Sequence, residues 1–287
     1  MPRQAYVNGR YVPHGSAAVH IEDRGYQFAD GVYEVVPVAN GTLVDEGPHL
    51  DRLERSLNEL RIALPMSRSA LKLASRELMR RNRLTNGFLY MQVTRGVAPR
   101  DHKFPKAAKP ALVMTTRQMK PPSGKVLAEG VGVITAPDLR WKRCDIKSVS
   151  LLPNILAKQK AVEAGAYEAW QVDSDGRVTE GTSTNAWIVT QEGELVTRDA
   201  SNSILNGITR LRLLHLLDSE GVSFSERPFT VEEARKAREA FITSSTNFVM
   251  PVTRIDGQPV GNGHPGILTT KLREQYEAFV RDLKDSA

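Results

Sequence analysis

The sequence predicts an α+β protein in two parts, a small α/β domain at the N-terminus followed by a larger β-rich domain. Three observations lead there. The chain is 287 residues long, enough for two packed domains of ordinary size. KPPSGK (120–125) sets two prolines, a serine and a glycine between periodic segments, which suits a linker. Before that break amphipathic helices lie among strands, whereas after it short strands and hairpins dominate. The expected boundaries are 1–119 for the small domain, 120–125 for the linker and 126–287 for the large domain.

In chain order, AYVNGRYV (5–12) is two strand-like runs around Asn8-Gly9, a pair that suits a two-residue hairpin turn. VYEVVPVANGTLVDE (32–46) repeats the device at Asn40-Gly41. Leu50, Leu53, Leu57, Leu60 and Leu64 recur at three- and four-residue spacing, so 49–64 reads as an amphipathic helix. Residues 69–83, after Ser67, read as a second helix, and 87–97 and 109–119 as strands. Past the linker, GVGVITA (130–136) is a strand, and a helix runs from Pro153 to Gly165, proline being well tolerated in a first helical turn. Hairpins follow at Asp175-Gly176 and Glu192-Gly193. Residues 207–221 and 231–237 read as helices, 239–245 as a strand, and the last 20 or so residues as a terminal amphipathic helix.

The composition, 40% hydrophobic and 25% charged, is that of a globular protein. The net charge of +6 favours anionic ligands, but no block of five or six like charges points to nucleic acid. The single cysteine allows no internal disulfide and fits a reducing compartment. There is no apolar run of signal-peptide or membrane-helix length, so a cytoplasmic protein without a membrane partner is expected.

Five stretches could carry chemistry, each with a bland reading beside it. Lys147, in RCDIKS, is by itself one more solvated lysine. Its neighbours Ile146, Val149, Leu151 and Leu152 would desolvate it, favouring the neutral, nucleophilic amine. In TEGTSTN, Glu180 meets small hydroxyl residues that would let a ligand approach the backbone; an ordinary polar loop fits as well. LNGITR (205–210) opens a helix at Gly207, whose first amides suit an anion but equally begin any helix. Thr243 to Thr246 end a strand in four hydroxyl residues, and Arg52 alone is a surface arginine. Arg100 and His102, two apart in an extended segment, could share one side and hold a carboxylate, or belong to a solvated basic loop.

Taken in order, DRGYQFADGVYEVV, HLDR, the Arg-x-His of RGVAPRDHKFP, RCDIKS, TEGTSTN and LNGITR resemble the motif series of the class IV aminotransferases, the fold-type IV enzymes dependent on pyridoxal 5'-phosphate (PLP). The likeness spans residue 5 to about 257 and is nearest the D-amino-acid aminotransferases. It implies a barrel-like large domain and a homodimer whose active site is shared across the interface. Carried over by position, it makes Lys147 the lysine that forms a Schiff base with PLP and shuttles the proton. Glu180 becomes the acid at the pyridine nitrogen. Arg52, the amides of Gly207, Ile208 and Thr209 beside Leu205, and the Thr246 hydroxyl become the phosphate cup. Ser183 and Ser245 would line the cofactor, and Tyr33, Arg100 and His102 would trap the substrate α-carboxylate. The trap points to D-amino acids such as D-alanine and D-glutamate with pyruvate and 2-oxoglutarate. Ala29 stands where the family often has glycine, and Asp101 puts a negative charge inside the trap loop. A branched-chain L-amino-acid transaminase or an aminodeoxychorismate lyase is the alternative within the fold. A non-enzymatic anion-binding protein is the alternative outside it.

Overall fold

A computed structural model describes residues 3–219 and 221–283. The chain forms two compact units, one holding the chain up to Lys120 together with Ile146–Ser150, the other Pro121–Asp145 and Leu151–Asp282.

The first unit contains β1 (Gln4–Val7), β2 (Arg10–Pro13), α1 (Arg24–Phe28), β3 (Gly31–Ala39), β4 (Thr42–Leu43), α2 (Glu46–Glu59), α3 (Arg68–Asn82), β5 (Gly87–Thr94) and β6 (Ala111–Gln118). Its six strands run in the order β2-β1-β6-β5-β3-β4, and every pairing is antiparallel. Both Asn-Gly turns close as hairpins, with Asn8 and Gly9 at φ 47° and 93° and Asn40 and Gly41 at 51° and 81°. Positive φ at both central residues matches the twist of the flanking strands. Leu50, Leu53 and Leu57 of α2 and Leu71 and Leu78 of α3 pack against Val32, Val36, Leu89, Met91, Val93, Leu112 and Met114 of the sheet. α2 begins three residues before the expected helix and stops at Glu59, because Arg61 takes a left-handed conformation at φ 54°. Leu60 and Leu64, expected in the helix, pack on the same core from the turn and segment that follow it. Ile146–Ser150 lies beside the start of β3 through the Val32–Ser148 bridge, with the Tyr33 amide donating to the Lys147 carbonyl at 3.0 Å.

The second unit contains α4 (Gly124–Glu129), β7 (Val131–Pro137), α5 (Leu152–Glu163), β8 (Glu168–Val172), β9 (Val178–Gly181), β10 (Asn185–Val189), β11 (Leu195–Thr197), α6 (Ile208–Ser219), β12 (Phe224–Glu226), α7 (Val231–Lys236), β13 (Glu239–Ser244), β14 (Phe248–Ile255), β15 (Gln258–Pro259) and α8 (Ile267–Asp282). Strand order is β12-β11-β10-β13-β14-β7-β8-β9, with β15 on β14. This sheet must curl. β9 and β10 stand five strands apart in the ladder yet are joined by Thr182, Ser183 and Thr184. Five strand spacings are roughly 24 Å, whereas that turn reaches about 14 Å at most. The half-barrel encloses a core of Trp170, Val178, Ile188, Phe229, Ile242, Met250 and Ile255.

Two differences from the sequence reading have clear causes. The linker is not irregular throughout, since the Ser123 side chain accepts from the Val126 amide and starts α4. β14 is absent from the sequence reading because Pro251 interrupts its apolar run, and proline ordinarily argues against an inner strand. Here Pro251 sits opposite Phe241 of β13, and the parallel partner β7 is taken up with a register shift between Val252 and Arg254.

Candidate active site

In the first unit, β3 and its flanking segment assemble the lysine end. Lys147 is half-buried, its Nζ 4.2 Å from the centre of the Tyr33 ring, and its amide donates to Ser56 Oγ at 3.2 Å. Of the apolar neighbours expected to desolvate it, Ile146 is buried but Leu152 is 65% exposed. An aromatic face, rather than an apolar wrapping, is what the amine rests on. Tyr33 in turn lies against Tyr90, with ring centroids 5.7 Å apart. Alternation along β3 turns the next residue, Glu34, to the opposite face, where it is wholly buried.

There Arg52, 8% exposed, is no surface arginine. Its Nε and Nη2 each donate to a different Glu34 oxygen at 2.7 Å, and His49 Nδ1 meets Glu34 Oε2 at 2.7 Å. Burial pushes the Glu34 carboxyl up, but the Arg52 charge and hydrogen bonds, aided by His49, outweigh it and hold the group at about 2. Burial also pushes His49 down, against the pull of Glu34. The neutral ring therefore carries its proton on Nδ1, since the ionised Glu34 can only accept.

The Arg-x-His loop is anchored on α1. Arg100 lies over the Phe28 ring at 4.5 Å, and His102 is tilted against the same ring at 5.6 Å, so Phe28 brings the two together. Arg24 covers Phe28 at 4.7 Å and donates to the Asp101 carbonyl at 2.6 Å. The Asp101 carboxylate does not fold inward; it is 52% exposed and pairs with Lys103 at 3.1 Å. Ala29 takes φ 55° at the end of α1, a left-handed position where glycine is free of strain.

In the second unit, Glu180 stands one residue before the end of β9 and is 6% exposed. Arg140 Nη1 donates to Oε1, Asn185 Nδ2 donates to Oε2 at 3.0 Å, and the Leu205 amide reaches both oxygens at 3.1 Å. Asn185 also donates to the Leu205 carbonyl at 2.8 Å, so the acid and the segment leading into α6 are tied to one side chain. Gly207 caps that helix, its carbonyl accepting from the Leu211 amide, with Ile208 and Thr209 buried in the first turn. Ser245 and Thr246 follow the end of β13, where Ser244 Oγ and Thr246 Oγ1 are 3.4 Å apart. Ser183 is exposed in the β9–β10 turn and donates to Glu168 Oε2 at 3.3 Å. Among the described residues no cluster of three metal-ligating side chains is present.

A Cβ on Gly207 would stand 2.1 Å from Asn185 Oδ1. Gly207→Ala is therefore expected to displace Asn185 from Glu180 and cost about 1–3 kcal/mol. A urea midpoint equal to that of the parent would refute this. Cys144 should be inert. Burial drives its thiol up, and with Glu180, Asp138 and Asp145 opposing the pull of Arg140 it reaches about 11. Its reaction with Ellman's reagent at pH 8 should be roughly a hundredfold slower than that of an ordinary thiol; an ordinary rate would contradict this environment.

Glu34, His49, Asp138, Arg140 and Asn185 are absent from the sequence reading. Glu34 left a signal, a lone acid in the alternating strand GVYEVV, since a buried acid requires a partner. Arg140 left none, standing in DLRWKR like any solvated arginine.

The family described as amino-transferase class IV matches residues 31–255. The chain is 46% identical over 266 residues to a D-alanine aminotransferase of Bacillus licheniformis, covering 93% of each, and 41% identical to one of Staphylococcus aureus (strain MSSA476), covering 96% of this chain and 97% of that one. Among solved structures, a branched-chain amino acid aminotransferase of Escherichia coli superposes with a TM-score of 0.89 at 22% identity, covering 97% of this chain and 94% of that one. Another, from T.th. and solved with pyridoxamine 5'-phosphate, does so with 0.89 at 24%, covering 98% and 94%. These structural likenesses establish the fold. Since the family match spans both units and the relatives align along nearly their whole length, this chain belongs to the class IV aminotransferases.

Proposed function

We propose that the protein transfers amino groups between D-amino acids, D-alanine and D-glutamate among them, and 2-oxo acids such as pyruvate and 2-oxoglutarate. It does so as a PLP-dependent aminotransferase, the chemistry of its family. The observation that carries the substrate reading is the 46% and 41% identity to two D-alanine aminotransferases along nearly the whole chain. The Arg-x-His loop agrees with it, because a guanidinium and an imidazole held on Phe28 offer N–H donors to a carboxylate.

The residues present fit the cofactor by the chemistry of the groups they offer. Lys147 supplies an amine for an aldehyde, Glu180 a buried carboxylate for a ring nitrogen, and the amides of Ile208 and Thr209 a helix start for a phosphate. Bound PLP supplies an electron sink for the bonds at the substrate Cα. Lys147 Nζ would hold the cofactor, and the same amine would take a proton from the substrate Cα and return it. Glu180, its carboxylate fixed by Arg140, Asn185 and the Leu205 amide, would hold a protonated ring nitrogen. Arg52, with its Nε and Nη2 engaged by Glu34, and the Thr246 hydroxyl would complete the phosphate site, with Ser183 and Ser245 around the cofactor. Tyr33, Arg100 and His102 hold the α-carboxylate and so decide which face of Cα meets the lysine. In this reading the active unit is a homodimer that shares trap residues across its interface, working in the cytoplasm.

Steady-state assays of D-alanine, D-glutamate and L-leucine against pyruvate and 2-oxoglutarate test the reading. Turnover with D-donors at least about a hundredfold above that with L-leucine is expected, since a misplaced carboxylate leaves a charged trap unpaired. Preference for L-leucine would instead favour a branched-chain transaminase. A colourless protein without turnover would remove the enzyme.

A further inference from the structure

The partner of Glu180 is unusual. Arg140, its side chain 6% exposed, spans two carboxylates, buried Glu180 and half-buried Asp138. Its Nε and Nη2 donate to the two oxygens of Asp138 at 2.9 and 2.7 Å, while Nη1 donates to Glu180. Nη2 further reaches Thr179 Oγ1 at 3.2 Å and the Ser203 carbonyl at 3.1 Å. Each nitrogen of the fork is bonded, so its plane is fixed. Asp138 is held in turn by the Thr179 hydroxyl at 2.7 Å.

The cluster of Asp138, Arg140 and Glu180 holds two negative charges and one positive, a net charge of −1. That matches one protonated ring nitrogen. Removing the arginine would leave two poorly solvated carboxylates with no cation between them, and like charges in such a setting drive one of them to take up a proton. A neutral Glu180 would no longer favour a protonated ring.

We propose that Arg140 is a positioning residue for the reaction: bridging Asp138 and Glu180, it fixes the Glu180 carboxylate and keeps it ionised, so that the cofactor's ring nitrogen remains protonated. The inference rests on the PLP reading above. It assigns to a residue acting through Glu180 control over the strength of the electron sink. Lysine could not replace it, because a point charge lacks the fork that grips both carboxylates.

The test uses holoprotein loaded with PLP carrying 15N at the ring nitrogen, followed by NMR from pH 6 to 9. Parent protein should show a protonated nitrogen across the range. In Arg140→Met the resonance should move to the unprotonated position within it. The kcat for D-alanine should fall about ten- to a hundredfold, the range usual when a partner that orients a ligating side chain is lost, with KM changed less than kcat. Asp138→Asn, which brings the cluster to a net charge of zero, should lower the pH at which the nitrogen loses its proton and decides the matter if Arg140→Met does not fold. Arg140→Lys should recover part of the protonation and little of the rate. A nitrogen that stays protonated as in the parent, in whichever of Arg140→Met and Asp138→Asn folds, would overturn the role of Arg140. Absence of any cofactor signal from the parent protein would instead overturn the PLP reading itself.

Discussion

Lys147→Ala is expected to fold normally, to lose the covalent link to its cofactor and to turn over about ten-thousandfold more slowly or worse. The magnitude follows from the two tasks proposed for one amine, nucleophile and proton carrier, each of which makes a large difference to rate by itself. The fold should survive because the segment is held by its backbone. The Lys147 carbonyl accepts from the Tyr33 amide at 3.0 Å, the Lys147 amide donates to Ser56, and the Val149 amide donates to the Gly31 carbonyl at 3.1 Å. Removing the side chain beyond Cβ leaves all three in place. Circular dichroism and melting should therefore match the parent, while borohydride followed by peptide mapping should label the parent at residue 147 and the variant nowhere. Parental rates in the variant would end the proposal for this lysine.

The second large effect is on stability. Arg52→Leu removes the cation from a wholly buried carboxylate, and breaking a buried pair from one side costs about 3–5 kcal/mol. The pH dependence gives the effect a signature. In the parent, Glu34 is held at about 2, below its ordinary 4.5, so the unfolded chain takes up the proton first. The stability it contributes is full above about pH 4.5 and is lost as pH falls towards 2. His49, pushed below its ordinary 6.5, acts in the same direction from about pH 6.5 downwards. Parent protein should thus weaken steadily on acidification. In Arg52→Leu, burial raises Glu34 with only His49 left to oppose it, so the deficit relative to the parent should shrink as the pH is lowered. Urea midpoints at pH 7 and pH 4.5 measure this, and a deficit equal at both would show that Glu34 is not the group left stranded.

Sequence periodicity was enough for the architecture wherever local chemistry and tertiary packing agree. Asn8-Gly9 and Asn40-Gly41 demand positive φ, and the leucine spacing of α2 defines a face that the sheet buries. It was less informative where a local rule is overridden. Pro251 lies within a strand that pairs on both sides, and Ser123 starts a helix inside a stretch with linker composition. In the candidate site, groups expected to face a ligand could be named from motifs, because Lys147, Glu180 and Gly207 sit in short runs of distinctive composition. The side chains that hold those groups could not. Arg140 reaches Glu180 across forty positions, and Asn185 ties it to Leu205 across twenty more, and no local pattern encodes such distances. Arg52 shows the same blindness, since the Glu34 that buries it is eighteen residues away on another element.

Amino transfer from a D-amino acid through a cofactor carried by Lys147 is isolated in a single half-reaction. Purified holoprotein is mixed with D-alanine or with L-alanine, without any oxo acid, and pyruvate is counted. A single equivalent of pyruvate per bound cofactor is expected from D-alanine, accompanied by loss of the visible absorbance band, and none on the same timescale from L-alanine. Equal yields from both enantiomers, or no pyruvate from D-alanine, would contradict it.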